Sequence, residues 1–318
     1  MHQQILDLVG NTPMVHIPSG LAVVSLKLES FNPGGSVKDR AVMRIIADAE
    51  HNGQLRPGSG VVEATSGNTG VAVAMVCAAR GYRAVIVTHD KASREKIDAM
   101  AHFGARVVVA NSSAAAGSSQ HYIEIARRLA QTDNLFLVNQ FENQLNPLAH
   151  FESTGPEIWQ QTDERVTCVV CGIGSGGTIT GVGRYLKARN PKVRIVAADP
   201  VGSVYASVFH GRPRPAGARW ATEGVGSDFM PGVLDWSVVD DVVSFTDAQA
   251  RSAALQVRTD HAISIGLSAG GALHVAQGLD DTVRGDCVVV VAPDAAERYF
   301  SKLGSPLANE RREREVTA

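Results

Sequence analysis

The sequence has almost no net charge. Its 30 Lys and Arg stand against 32 Asp and Glu, a formal charge of −2, so no basic surface points to nucleic acid. No apolar run is long enough to span a membrane; the longest are the size of a strand or a helix. The first residues, Met1-His2-Gln3-Gln4, lack a charged segment followed by an apolar one. No signal peptide is expected, and the cytoplasm is the expected compartment. Cysteine is scarce: Cys77, Cys168, Cys171 and Cys287. Cys168-Val-Val-Cys171 has redox spacing, but that chemistry needs its first Cys at a helix N-terminus. Here the pair lies in an apolar run, where strand geometry sends the two thiols to opposite faces. Both read as buried strand cysteines. What remains is an ordinary globular composition, 44% apolar and 19% charged. With 318 residues it can bury a large core, and two domains are expected.

The stretch that organises the chain is Glu29-Ser-Phe-Asn-Pro-Gly-Gly-Ser-Val-Lys-Asp-Arg40. It follows an apolar run over 23–28 that reads as a strand. Asn32-Pro33-Gly34-Gly35 breaks that strand, because Pro fixes φ and Gly admits positive φ. Ser36 stands where a helix N-cap is expected, ahead of apolar residues at helical spacing from Val37 to Ala49. Lys38 then falls in the first helical turn. The positive end of the helix dipole disfavours its charged form there. Such an amine can form a Schiff base, although a lysine taken alone reads first as a solvated surface residue.

Downstream, strands and helices alternate. Strands are expected at 61–63, 83–87, 106–110, 135–139, 166–171, 193–198 and 287–292. Helices are expected at 71–79, 93–103, 121–130, 149–160, from the 172–178 turn to about 188, at 247–259 and after 266–271. The segment 202–219 reads as irregular, and the tail 309–315 as charged and frayed. This alternation predicts an α/β fold with parallel sheets covered on both faces, and ligands beyond the carboxyl ends of the strands. Three Gly/Ser/Thr-rich strand-to-helix turns fit that position: 65–70, 172–178 and 266–271. Their backbone N–H groups suit anions. Gly172-x-Gly174-x-x-Gly177 also matches the dinucleotide fingerprint, but the expected acidic residue comes late, at Asp199. A structural turn, a dinucleotide and another phosphate ligand all stay open on that motif alone.

Four motifs in order resemble one family: Asn32-Pro-Gly-Gly-Ser-Val-Lys-Asp-Arg40, Thr65-Ser-Gly-Asn-Thr-Gly70, Gly174-Ser-Gly-Gly-Thr178 and Gly266-Leu-Ser-Ala-Gly270. They look like the signature set of the cysteine synthase/cystathionine β-synthase family, pyridoxal phosphate enzymes of the tryptophan-synthase-β fold type (fold type II). The likeness runs from about Leu8 to Leu303. It implies that Lys38 holds pyridoxal 5'-phosphate as a Schiff base and moves the substrate Cα proton. It implies that Asn68 meets the ring oxygen, Ser268 the pyridine nitrogen, and Gly174, Ser175, Gly176, Gly177 and Thr178 the phosphate. Thr65, Ser66, Asn68, Thr69 and Gln140 would take the substrate carboxylate. A neutral hydroxyl at the pyridine nitrogen weakens the electron sink and favours β-elimination over transamination. Read without the resemblance, Asn68 and Ser66 are helix caps, Ser268 a turn residue and Gln140 a strand-end residue.

The implied reaction is loss of a β-substituent from a serine derivative through an aminoacrylate, then addition of a nucleophile. The resemblance favours cysteine synthase acting on an O-activated serine. Cystathionine synthesis from serine and homocysteine is the alternative, supported by Asn146-Pro-Leu-Ala-His-Phe151 and the stretch 223–231. A nitrogen nucleophile is a third reading, and a silent homologue that binds a partner is the non-enzyme rival. Val87-Thr-His-Asp90, Ala64 and Asp260-His-Ala-Ile-Ser264 depart from the family pattern and leave the second substrate open. None is expected to touch the cofactor. Arg212, Arg214 and Arg219 lie where they could reach a donor phosphate. The family likeness further implies a homodimer, and serine acetyltransferase is the example of a partner that a silent homologue would bind; no metal is implied. Residues 1–40 plus 149–318 are expected to form a larger cofactor domain, and 41–148 a smaller domain that closes over substrate.

Overall fold

The computed structural model describes residues 4–19, 22–65, 67–115, 117–215, 219–280 and 287–303. Valine-rich strands build two sheets. The larger has the order β1 (Met14–Ser19), β2 (Ala22–Leu28), β10 (Cys287–Ala292), β7 (Cys168–Gly172), β8 (Arg194–Pro200), β9 (Asp241–Phe245). All its pairings are parallel except β1 with β2. The smaller sheet, all parallel, has the order β5 (Arg106–Ala110), β4 (Arg83–His89), β3 (Gly60–Ala64), β6 (Phe136–Leu137).

Side chains alternate across the larger sheet as strand geometry requires. Val24, Leu26, Cys168, Val170, Val288 and Val290 pack on one face against helices α9 (Asp247–His261) and α10 (Leu267–Gly278). Val169, Cys171, Ile195, Val289 and Val291 pack on the other with α6 (Thr154–Gln161) and α7 (Gly177–Arg189). Cys168 and Cys171 thus lie in different cores, as expected, and are free thiols. Burial pushes both up to about 12, which keeps them protonated.

The smaller sheet buries Val61 and Ile86 against α1 (Lys38–His51) and α2 (Asn68–Arg80), and Val62 and Val85 against α4 (Tyr122–Thr132). In α1, residues Val42, Ile45, Ile46 and Ala49 make the buried stripe. Full burial of a side chain such as Ile45 contributes about 1.5–3 kcal/mol. Helix α2 is buried from Thr69 to Cys77 and stops at Gly81, whose φ of 75° is the left-handed cap that glycine favours.

Several elements differ from the sequence expectation. Strands β1 and β9 were not expected; they are the two edges of the larger sheet. The strand expected over 135–139 is only Phe136–Leu137, because Asn139 turns left-handed at φ 57°. The helix expected over 149–160 is two helices, α5 (Leu145–Glu152) and α6. Ser153 Oγ donates to the Ala149 carbonyl at 2.6 Å, a side-chain bond that competes with the helix ladder. Pro156, with no N–H, suits the first turn of the new helix. Within 202–219 the chain forms a short helix, α8 (Tyr205–Phe209); residues 216–218 and the tail 309–315 lie outside the described residues. No described helix is long and apolar enough to cross a membrane.

Candidate active site

Leu28 pairs with Ala292 at the carboxyl end of the larger sheet, so the loop from Glu29 to Val37 emerges beside the end of β10. The Val37 N–H donates to the Pro293 carbonyl at 2.9 Å and fixes the start of α1 there. The N-cap position belongs to Val37 and not to Ser36 as expected; Ser36 Oγ instead accepts from the Lys38 N–H at 3.3 Å. The loop is braced from beneath. Asp39 Oδ2 accepts from the Gly34 N–H at 2.6 Å. Arg40 reaches Glu29 at 2.7 Å and Glu157 at 2.6 Å, and Lys27 reaches Glu157 at 2.7 Å.

Lys38, first residue of α1, opens on a cavity of about 800 Å³ at the carboxyl ends of strands from both sheets. Burial lowers its amine pKa from the ordinary value of 10.5, against weaker opposing effects of Cys171, Asp294 and Glu29. All three Gly/Ser/Thr turns face this space: Thr65, Gly67, Asn68 and Thr69 from the first, Gly174 and Ser175 from the second, Ser268 from the third. A neighbouring small hollow is lined by Lys38, Gly174, Ser175, Gly176 and Thr178. Of the residues expected at the site, Ser66 lies outside the described residues.

The 174–178 turn links β7 to α7. Gly176 takes φ 88° at the helix N-cap, and a Cβ there would sit 2.8 Å from Leu234. A Cβ on Gly177 would run into the Asn146 side chain. Asn146 Nδ2 in turn donates to the Gln140 carbonyl at 2.8 Å and to Ser175 Oγ at 3.1 Å. Thr178 Oγ1 lies 3.2 Å from Nε2 of His150, whose pKa is held well below the ordinary value by burial and by Lys38 and Arg40.

Gln140 ties the first turn to the smaller sheet. Its Oε1 accepts from Thr69 Oγ1 at 2.6 Å, and its Nε2 donates to Glu63 Oε1 at 3.2 Å. Burial pushes the Glu63 carboxyl up to about 8 despite hydrogen bonds from Asn139 and Gln140. Asn68 Nδ2 donates to Asp294 Oδ2 at 2.6 Å, while Asn68 Oδ1 is buried without a hydrogen-bond partner among the described residues.

Sequence reasoning missed Asp294, Tyr299, Lys96, Glu223, Asn146, His121 and Tyr122. Pro293-Asp294 directly follows the last strand, a position where the carboxyl-end rule could have flagged it. Of the 87–90 departure, His89 and Asp90 line the same cavity as Lys38. Arg219 also lines it; Arg212 and Arg214 are not among its lining residues.

Residues 5–294 match the family described as pyridoxal-phosphate dependent enzymes. Cystathionine beta-synthase of Oryctolagus cuniculus is 40% identical over 306 residues, 94% of this chain and 55% of that protein. The Apis mellifera cystathionine beta-synthase is 36% identical over 312 residues, 95% of this chain and 61% of that protein. The chain therefore spans a little over half the length of these relatives. A crystal structure of O-ureido-L-serine synthase superposes with a TM-score of 0.86 at 36% identity, covering 98% of this chain and 99% of the other. With the tryptophan-synthase-β fold type and four ordered motifs around Lys38, the chain belongs to the pyridoxal-phosphate dependent enzymes, in the cysteine synthase/cystathionine β-synthase family.

Proposed function

We propose that this chain catalyses a β-replacement on L-serine or an O-activated L-serine. Lys38 carries the reading: a desolvated amine with a lowered pKa, at a cavity where three anion-suited turns meet. The cofactor of the family is pyridoxal phosphate, and the residues fit it. The buried Asn68 Oδ1 has no hydrogen-bond partner among the described residues, and the left-handed Gly176 keeps the head of α7 free of side chain. When bound, the cofactor supplies an electron sink for the Cα proton and the β-substituent. Lys38 would hold it, and the Lys38 Nζ would take the substrate's Cα proton. Gly174, Ser175, Gly176, Gly177 and Thr178 hold the phosphate, Asn68 the ring oxygen, and Ser268 the ring nitrogen. Thr65, Ser66, Asn68, Thr69 and Gln140 receive the substrate carboxylate.

The nucleophile enters past His89, Asn111, Ser112, His121 and Tyr122 on the smaller-sheet side and the 219–229 loop on the other. A cavity of about 800 Å³ leaves room for a nucleophile larger than sulfide. The names of the relatives, cystathionine beta-synthase and O-ureido-L-serine synthase, support such a nucleophile over the sulfide of a cysteine synthase. A homodimer, closure of residues 41–148 over the cleft, and serine acetyltransferase as partner if sulfide proves to be the nucleophile, are part of this proposal.

The test is the absorbance spectrum of the purified holoenzyme with L-serine, O-acetyl-L-serine and O-phospho-L-serine in turn, followed by homocysteine, hydroxyurea or sulfide. A donor-specific shift reversed by one nucleophile names both substrates. A protein that takes up no pyridoxal phosphate would sink the reading and favour a silent binding partner.

A further inference from the structure

Asn146, in the first turn of α5, is 2% exposed and is not among the residues that line the cavity or the small hollow beside it. Its Nδ2 donates to the Gln140 carbonyl at 2.8 Å and to Ser175 Oγ at 3.1 Å, which uses both hydrogens of the amide. A carbonyl can only accept, so the nitrogen of the amide, and not its oxygen, faces Gln140. Asn146 Oδ1 lies against Gly177, where a Cβ would run into it. Gln140 is itself held from the smaller sheet by Thr69 and Glu63. The amide is thus fixed at one end by the smaller sheet and at the other by the turn that opens α7. That arrangement decides what the Ser175 hydroxyl can do. Its oxygen accepts from Asn146, and an amide nitrogen cannot accept in return. The hydroxyl hydrogen therefore needs another acceptor. Ser175 is 4% exposed and borders the hollow lined also by Lys38, Gly174, Gly176 and Thr178. No carboxylate is among the described residues lining that hollow. A buried hydroxyl hydrogen left without an acceptor is costly, and an anion at the head of α7 supplies one.

We infer that Asn146 is a positioning residue for the cofactor: without touching it, the Asn146 amide sets the direction of the Ser175 hydroxyl, so that its hydrogen is donated to the cofactor's phosphate. The inference rests on the proposed function for the identity of that anion. Without the amide, Ser175 loses the donor that occupies its oxygen, and its hydroxyl is no longer held in one rotamer. The backbone N–H groups of the turn stay where they are. The loss is therefore confined to ligands that carry the phosphate, and it passes entirely through the Ser175 hydroxyl.

Equilibrium titration of the apoprotein with pyridoxal phosphate and with pyridoxal, which lacks the phosphate, tests this in wild type, Asn146→Ala, Ser175→Ala and the double variant. Asn146→Ala is expected to raise the Kd for pyridoxal phosphate about tenfold, from the loss of one well-directed hydrogen bond to a charged group, with the pyridoxal Kd unchanged. Ser175→Ala should raise it at least as much, and the double variant no further than Ser175→Ala alone. A purely structural asparagine predicts that both ligands weaken together in Asn146→Ala, or that the two losses multiply in the double variant. Either result, like an unchanged Kd for pyridoxal phosphate in Asn146→Ala, overturns the inference. If Asn146→Ala does not fold, Asn146→Asp, equal in size, takes its place. Its side chain only accepts, so the Ser175 hydrogen turns towards it and away from the phosphate. A loss of pyridoxal phosphate affinity that disappears in the Ser175→Ala background supports the inference, and one that persists there is an effect of charge alone and overturns it. Turnover is not read: the expected pattern in a protein that converts no serine donor overturns the β-replacement reading alone, and a protein that takes up no pyridoxal phosphate overturns both.

Discussion

Asn68 Nδ2 donates to Asp294 Oδ2 at 2.6 Å, a bond between residues 226 positions apart. It pins the head of α2 to the residue that follows Pro293 at the end of β10, across the cleft between the two sheets. Tyr299 donates to the same carboxyl oxygen. Asp294→Ala removes the group that orients the Asn68 amide. Hydrogen bonds to charged groups contribute about 1.5–3 kcal/mol, so cofactor affinity is expected to fall about ten- to a hundredfold. Titration of the apoprotein with pyridoxal phosphate measures this, and an unchanged affinity would separate Asn68 from cofactor binding.

Lys38 should be the site of cofactor attachment. Borohydride reduction followed by peptide mass analysis is expected to find the label on Lys38, and Lys38→Ala to abolish both label and turnover. Burial lowers the amine pKa below 10.5, so the reactive neutral amine appears at lower pH than on an ordinary lysine. The rate of cofactor attachment should rise with pH through a midpoint below 10.5. A midpoint at or above that value counts against a desolvated lysine.

Glu63 makes stability depend on pH. Its carboxyl is pushed from 4.5 up to about 8 by burial. Between those values the folded protein binds a proton that the unfolded chain releases. Stability from this group is therefore present below pH 4.5 and declines as pH rises towards 8. Asp39, pushed to about 7, acts with the same sign. Glu63→Gln should flatten the fall in urea-unfolding free energy between pH 5 and 8. An unaltered slope would show that Glu63 is ionised in the folded protein.

Glu157 answers two buried cations, Arg40 and Lys27. Burial alone would raise its carboxyl; the two partners outweigh it and hold it at about 2. Glu157→Ala leaves Lys27 without a carboxylate partner and Arg40 with Glu29 alone, and is expected to cost about 3–5 kcal/mol in urea unfolding at neutral pH. Because the folded pKa is depressed, the stabilisation is present above 4.5 and lost as pH falls towards 2. The gap between variant and wild type should narrow over that window; a gap independent of pH would assign the loss to packing.

Gly176 stands at φ 88° with Leu234 against it. Gly176→Ala adds about 1–2 kcal/mol of left-handed strain and a clash. Cofactor affinity should fall with little change in far-ultraviolet circular dichroism. Retained affinity would show that the 174–178 turn can relax without losing its ligand.

The local features of this protein were legible in its sequence. The buried strands β4, β7, β8 and β10 carry near-continuous apolar runs, which a parallel sheet covered on both faces demands, and β2 and β3 are apolar apart from the buried Ser25, Lys27 and Glu63. The edges β1 and β9 escaped notice because an edge strand is half solvated and carries Pro18 or Asp241 in its pattern. The turns at 65–70, 172–178 and 266–271 announced themselves by composition, and Lys38 by its place behind a Gly-rich loop. Those signals arise within a few residues, where backbone sterics and helix capping act. Tertiary structure alone decided that Asp294 and Tyr299 meet Asn68, that Asn146 joins Gln140 to Ser175, and that Lys96 pairs with Glu223 beside Gly67. Apart from the Asn146–Gln140 bond, these contacts join segments far apart in the chain, 226 residues between Asn68 and Asp294 and 29 between Asn146 and Ser175. Their geometry follows from how two sheets aim their carboxyl ends at one cavity, and no local propensity encodes that.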